Sequence, residues 1–147
     1  MAVVEKSVLI ERTAAQMFEL VDRVEDYPKF LPWCGGTDLI ERTEAKTTAT
    51  VHINYHGLKS HFTTENAKQV PTHMDIRLKD GPFTQMDGHW RFTPLGDAAC
   101  KIEFRLHYEF SSKMLETVLG PVFSHIANTF VESFVKRAQS LSVKNGG

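Results

Sequence analysis

The chain of 147 residues has only two cysteines, Cys34 and Cys100, far apart in sequence. No CxxC occurs, which excludes a zinc knuckle and a thioredoxin-type redox pair, and the two thiols read as free and reduced. No apolar run approaches the roughly 18 to 20 residues that cross a bilayer. The opening residues Met-Ala-Val-Val-Glu-Lys-Ser lack both a basic segment leading into an apolar one and the Arg-rich, acid-poor look of a transit peptide. The expected location is therefore the cytoplasm, with any membrane contact peripheral, at the inner face. Charge of one sign is also lacking. Lys and Arg number 17 against 18 Asp and Glu, so non-specific nucleic-acid binding is not advertised. There is no GxSxG, HExxH, Walker loop or Gly-rich dinucleotide fingerprint, which leaves the common enzyme signatures unmatched. Repeats, low-complexity tracts and linkers are missing too.

What is present is one domain's worth of chain, residues 1–147. Apolar residues make up 41% and charged residues 24%. A chain this long buries roughly 70% of its unfolded surface and needs no staples. Residues 2–10 (AVVEKSVLI) are β-branched and apolar and read as a strand. Thr13 precedes Ala14, Met17, Phe18 and Val21 at helical spacing, and Gln16 completes a capping box. In the following YPKFLPWC segment, Pro28 and Pro32 limit helix to about one turn. Gly35 and Gly36 are expected to end it.

From Thr37 to Phe110 the period is two. Thr47, Ala49, Val51, Ile53 and Tyr55 share one face; Leu58, Ser60, Phe62 and Thr64 follow after a turn at His56-Gly57. Pro71 is expected to open the next strand, with Thr72, Met74, Ile76 and Leu78 inward. After the Asp80-Gly81-Pro82 turn, Gly88, Trp90 and Phe92 alternate with polar residues. The clearest strand is last: Cys100, Ile102, Phe104, Leu106, Tyr108 and Phe110 against Lys101, Glu103, Arg105, His107 and Glu109. From Ser112 the period becomes 3.6, with Leu115, Leu119, Val122, Ile126, Phe130 and Phe134 in a stripe. This predicts a helix of about 30 residues, bent or broken at Gly120-Pro121.

The predicted class is α+β: a curved, seven-stranded antiparallel sheet wrapped around a long C-terminal helix, with two short helices after the first strand. One helix cannot fill a wide concave sheet, so an apolar pocket between them is expected.

The segments VEDYPKFLPWC (24–34), KDGPF (79–83), GHWRF (88–92), FRLHYEF (104–110) and GPVFSHIANTFVESFVKRA (120–138) resemble the START-like helix-grip superfamily. Within it they resemble the branch of coenzyme Q-binding proteins and ribosome-association toxins, catalogued with polyketide cyclase and dehydrase-like domains. The resemblance covers nearly the whole chain and implies a lipid-binding cavity bordered by the proline-stiffened segment. Candidate ligand contacts are Tyr27, Phe30, Leu31 and Trp33 from that segment. Met74, Ile76, Trp90, Phe92, Phe104, Leu106 and Tyr108 come from the concave face, and Phe123, Ile126, Phe130 and Phe134 from the helix.

What the resemblance implies first is non-enzymatic binding of a prenyl-quinone, ubiquinone or a late precursor, delivered to respiratory or biosynthetic enzymes at the membrane. No other cofactor is required. Burying one isoprene unit removes about 100 Å² from water, or about 2.5 kcal/mol. The alternative is a toxin-like regulator that binds the large ribosomal subunit and blocks subunit joining. An aromatase or cyclase is a third reading; among the inward positions only Tyr55, Thr72, Cys100 and Tyr108 are polar, and none is a strong base at neutral pH. Seven histidines show no metal-ligand spacing, so His52, His56 and His61 are expected to be solvated strand residues. Lys59, Arg77, Lys79, Arg91, Lys101 and Arg105 alternate with acids on the wet face, which favours solubility over a basic patch for ribosomal RNA.

Overall fold

The computed structural model describes residues 2–146, with side chains described from 2 to 141. Its elements run β1 (Ala2–Ile10), α1 (Ala14–Asp22), a 3-10 helix (Val24–Lys29), β2 (Cys34–Arg42), β3 (Lys46–Tyr55), β4 (Leu58–Gln69), β5 (His73–Asp80), β6 (Phe83–Pro94), β7 (Cys100–Phe110) and α2 (Lys113–Gly146). The strands form one antiparallel sheet in the order β1-β7-β6-β5-β4-β3-β2. It is a meander from β2 to β7, with β1 returning to pair with β7. The sheet curves around α2, as expected of a helix grip.

Local chemistry accounts for most element ends. Thr13 Oγ1 accepts from the Gln16 N–H at 3.1 Å, and Gln16 Oε1 accepts from the Thr13 N–H at 2.8 Å. This reciprocal cap starts α1 and turns Met17, Phe18 and Val21 into the core. In β7 the alternation is clean: Cys100, Ile102, Phe104, Leu106 and Tyr108 are buried and Arg105 is exposed. At Gly88 an added Cβ would sit 2.2 Å from the Arg105 carbonyl oxygen and 3.1 Å from Leu106 Cα. Only glycine allows β6 and β7 this close approach.

The structure corrects four expectations. β2 does not wait for the glycines to pass; it begins at Cys34 and absorbs Gly35 and Gly36 through an irregular register. Pro71 and Thr72 belong to a turn, with the Thr72 N–H donating to Gln69 O at 2.9 Å, so Thr72 is exposed. β6 reaches back to Phe83, beyond the alternation read from Gly88 onward. A register shift between Phe83 and Gln85 puts Phe83 and Met86 on the same buried side, and this hides the strand from a strict period of two. Finally, α2 is not broken at Gly120-Pro121 but continues through it. The carbonyl that loses its donor to Pro121 belongs to Thr117, which is exposed and open to water.

Candidate functional site

α2 lies across the concave face, and a hollow of about 70 Å³ remains between them. Three layers build it. Val21, Val24, Tyr27 and Trp33 close it from α1 and the segment after it. Ala49, Val51, Phe62, Thr64, Asn66, Ile76, Met86, Trp90, Phe104 and Leu106 form the sheet wall, and Phe123, Ile126, Ala127 and Phe130 form the helix wall. A second hollow of about 10 Å³, between Ile53, Ser60, Phe83, Phe110, Leu119 and Val122, adjoins it and shares Phe62 and Phe123.

Nine of the fifteen residues anticipated from sequence line the larger hollow: Tyr27, Trp33, Ile76, Trp90, Phe104, Leu106, Phe123, Ile126 and Phe130. The other six lie outside it. Leu31, Met74, Phe92 and Phe134 are at most 1% exposed and fill solid core. Phe30 is half-buried under the Arg137 guanidinium, 5.3 Å from its ring centroid. Tyr108 packs on Phe123, centroids 4.6 Å apart, away from the space. Alternation gives the face of a strand, not which neighbours fill the space in front of it.

Several wall residues were absent from the sequence-based candidates. Ala49, Val51, Phe62 and Thr64 sit on the inward alternation already read for β3 and β4. Asn66 is the next inward position after Thr64 and was findable by the same rule. Met86 was hidden by the bulge in β6.

The wall is rich in aromatic rings. Trp90 lies 4.7 Å from Phe104 and 5.7 Å from Phe130 between centroids, and Trp33 lies 6.1 Å from Phe130. Aromatic pairs at such distances add to the burial of their area. Of the lining side chains none is a carboxylate, imidazole, amine or thiol. The Tyr27 hydroxyl donates to Val21 O, and burial, then the Asp22 charge, drives its pKa far above the ordinary range. It is a fixed neutral donor. Burial also raises the Cys34 and Cys100 thiols, so neither is poised as a nucleophile.

One polar atom stands out. Asn66 Nδ2 donates to Met74 Sδ at 3.6 Å, but Asn66 Oδ1 is buried with no hydrogen-bond partner. Such an acceptor costs about 1–3 kcal/mol of desolvation.

Beside the hollow, α1 is tied to the sheet by charge. Lys68 Nζ meets Asp22 Oδ2 at 3.0 Å with its side chain only 3% exposed. Thr47 Oγ1 donates to Asp22 Oδ1 at 2.6 Å, and Arg42 pairs with Glu25 at 2.7 and 2.9 Å and donates to Asp22 O at 2.7 Å. The ties hold Val21, Val24 and Tyr27 over the hollow.

On the outward face, histidines are paired with acids, His52 with Asp38 at 2.7 Å and His73 with Asp75 at 2.9 Å. Among the described residues no group of three or more His, Cys, Asp or Glu is arranged to hold a metal. Bases and acids face each other across strands, Arg77 opposite Glu65, Arg91 opposite Glu103 and Arg105 opposite Glu5. This is a charge-balanced surface. Among the described residues no helix is long and apolar enough to cross a membrane.

The family model described as polyketide cyclase / dehydrase and lipid transport matches residues 10–135. A protein named ribosome association toxin RatA from Vibrio cholerae is 42% identical over 138 residues, covering 94% of this chain and 96% of that one. The mitochondrial coenzyme Q-binding protein COQ10 homolog B of Xenopus laevis is 25% identical over 138 residues, covering 90% of this chain and 52% of that one. Among solved structures, an 18 kDa protein from Caulobacter crescentus has a TM-score of 0.71 at 31% identity, covering 96% of this chain and 98% of that one. The Zhui aromatase/cyclase from a Streptomyces has a TM-score of 0.79 at 16% identity, covering 99% and 98%, a likeness of fold alone.

Proposed function

We propose a ribosome-directed role for this chain, which belongs to the polyketide cyclase / dehydrase and lipid transport family. It binds the large ribosomal subunit and blocks subunit joining, acting in the cytoplasm without catalysis. One observation carries this reading: the 42% identity, over nearly the full length of both chains, to a relative named for ribosome association. The size of the hollow supports it. About 70 Å³ is roughly half of the 150 Å³ apolar cavity that takes up benzene, too little for a substituted quinone ring with its tail. The test is sedimentation. Purified protein added to separated bacterial subunits is expected to travel with the large subunit and to lower the yield of joined ribosomes. An unchanged profile with the protein left at the top of the gradient ends this reading.

A second reading rests on a different observation, the aromatic, almost wholly apolar lining of the hollow. It is supported by the likeness to a coenzyme Q-binding protein. Here the chain holds a hydrophobic molecule such as a prenyl-quinone in a widened form of the same space and passes it to respiratory or biosynthetic enzymes at a membrane. Mass spectrometry of an organic extract of the purified protein tests it, and an extract free of prenyl lipids from quinone-replete cells counts against it. Cyclase chemistry is disfavoured because the lining offers no general acid or base.

A further inference from the structure

We propose that the hollow selects its occupant by one hydrogen bond, taking an apolar molecule that carries an alcohol or phenol hydroxyl and accepting that hydroxyl on Asn66 Oδ1. The inference rests on the ligand-binding reading and refines it.

Asn66 is the only side-chain amide in the lining, and its carbonyl is one of the two buried polar side-chain atoms left without a partner among the described residues. Its orientation follows from its neighbour. A thioether sulfur accepts weakly and donates nothing, so the amide turns its NH2 to Met74 Sδ and its carbonyl away. Met74 is fully buried and holds that arrangement. Valine or leucine would fill this inward position of β4 without leaving an orphan. Apart from the hydroxyls of Thr64 and of Tyr27, the latter committed to Val21 O, the carbonyl sits in a wall of rings and aliphatic groups, where a hydrogen bond is strong because water does not compete. Oδ1 is shut off from the hollow as it stands, so an occupant has to draw the amide carbonyl round to reach it. What satisfies an acceptor is a donor. A ring bearing only carbonyl and ether oxygens gains nothing from Asn66 Oδ1, whereas its hydroxyl counterpart does. The site therefore prefers phenolic or reduced, hydroxyl-bearing rings over carbonyl-bearing ones.

Trp33 and Trp90 are the chain's two tryptophans and both line the hollow, so intrinsic fluorescence reports occupancy. The hollow of about 70 Å³ has to widen to admit either probe, as the ligand-binding reading requires, and the full-length protein is titrated with para-butylphenol and with para-butylanisole, which differ by a methyl cap on the hydroxyl. Transfer from water favours the anisole, and the Asn66 variant separates a hydrogen bond to Asn66 from mere exclusion of the bulkier methyl cap, which would survive the substitution. Wild type is expected to bind the phenol about tenfold more tightly, the size of one net hydrogen bond. Asn66→Leu, or Asn66→Val if the first does not fold, is expected to bind the anisole still and to bring the two within about twofold. Equal affinities in wild type, or a phenol preference that survives in the variant, overturn the inference and leave the ligand-binding reading standing. If neither probe changes the fluorescence, that reading falls and the inference with it.

Discussion

The rings of Phe62 on β4 and Phe123 on α2 meet edge to face, centroids 6.0 Å apart and planes at 80°, and they divide the space under the helix into two hollows. Phe123 also touches Phe83 and Tyr108, at 5.0 and 4.6 Å between centroids. The partition is held in place by a buried aromatic cluster, so the small volume of the larger hollow is set by ring packing and not by sheet curvature alone.

Phe123→Ala is therefore expected to join the two hollows. Removing a ring that is only 4% exposed should cost about 3–5 kcal/mol in urea unfolding. The same variant should bind para-butylphenol or another short apolar probe more tightly than wild type. A stability loss with no gain in binding would show that the core collapses into the gap.

The Asp22–Lys68 pair makes a second prediction. Asp22→Asn leaves the Lys68 ammonium nearly shut off from water beside a neutral amide, and unfolding free energy should fall by about 3–5 kcal/mol. Lys68→Met added to Asp22→Asn should recover most of that loss. A double variant no more stable than the single one would mean that the Asp22 bonds to Thr47 and Arg42 matter more than its pairing with Lys68.

Acid stability follows from Glu25. The hydrogen bonds from Arg42 lower its pKa from 4.5 to about 2. A group depressed in the folded state stabilises above its unfolded pKa, and that contribution is lost as pH falls through the folded one. Wild type should thus lose stability between about pH 4.5 and 2, and Arg42→Gln should flatten the Glu25 part of that slope while lowering stability at neutral pH. Urea midpoints measured at several pH values check this.

Two glycines make a matched pair. Gly88→Ala drives a Cβ toward the Arg105 carbonyl, a backbone atom that cannot step aside, and should cost about 1–3 kcal/mol or more. Gly36→Ala meets nothing within 4 Å and should stay within about 0.5 kcal/mol of wild type. Thermal melts of the two decide whether the close approach of β6 and β7 requires glycine at position 88.

The parts of the fold that were legible in sequence are those with a local cause. The Thr13–Gln16 cap, the alternation of β7 and the stripe of α2 each arise from residues a few positions apart; the cap and the alternation stand in the structure as read, and of the stripe Leu119, Ile126 and Phe134 are buried while Leu115, Val122 and Phe130 are partly so. The misreadings came where a distant strand rearranged the local pattern. Met86 was masked because β6 bulges against β7, and β2 ran through two glycines because β3 lay beside them to pair with. Candidate residues for the hollow separated in the same way. Trp90 and Phe92 share a face of one strand, yet only Trp90 borders space.

Sequence alone determined the α+β order, the inward faces and the apolar character of the space between sheet and helix, because periodicity and capping are short-range. Only tertiary structure decided how much space remains, that Phe62 and Phe123 divide it, and that Asn66 stands in its wall with an unanswered carbonyl. Those features depend on how rings from β4, β6, β7 and α2 settle against one another, and residues so far apart in the chain leave no local pattern of their meeting.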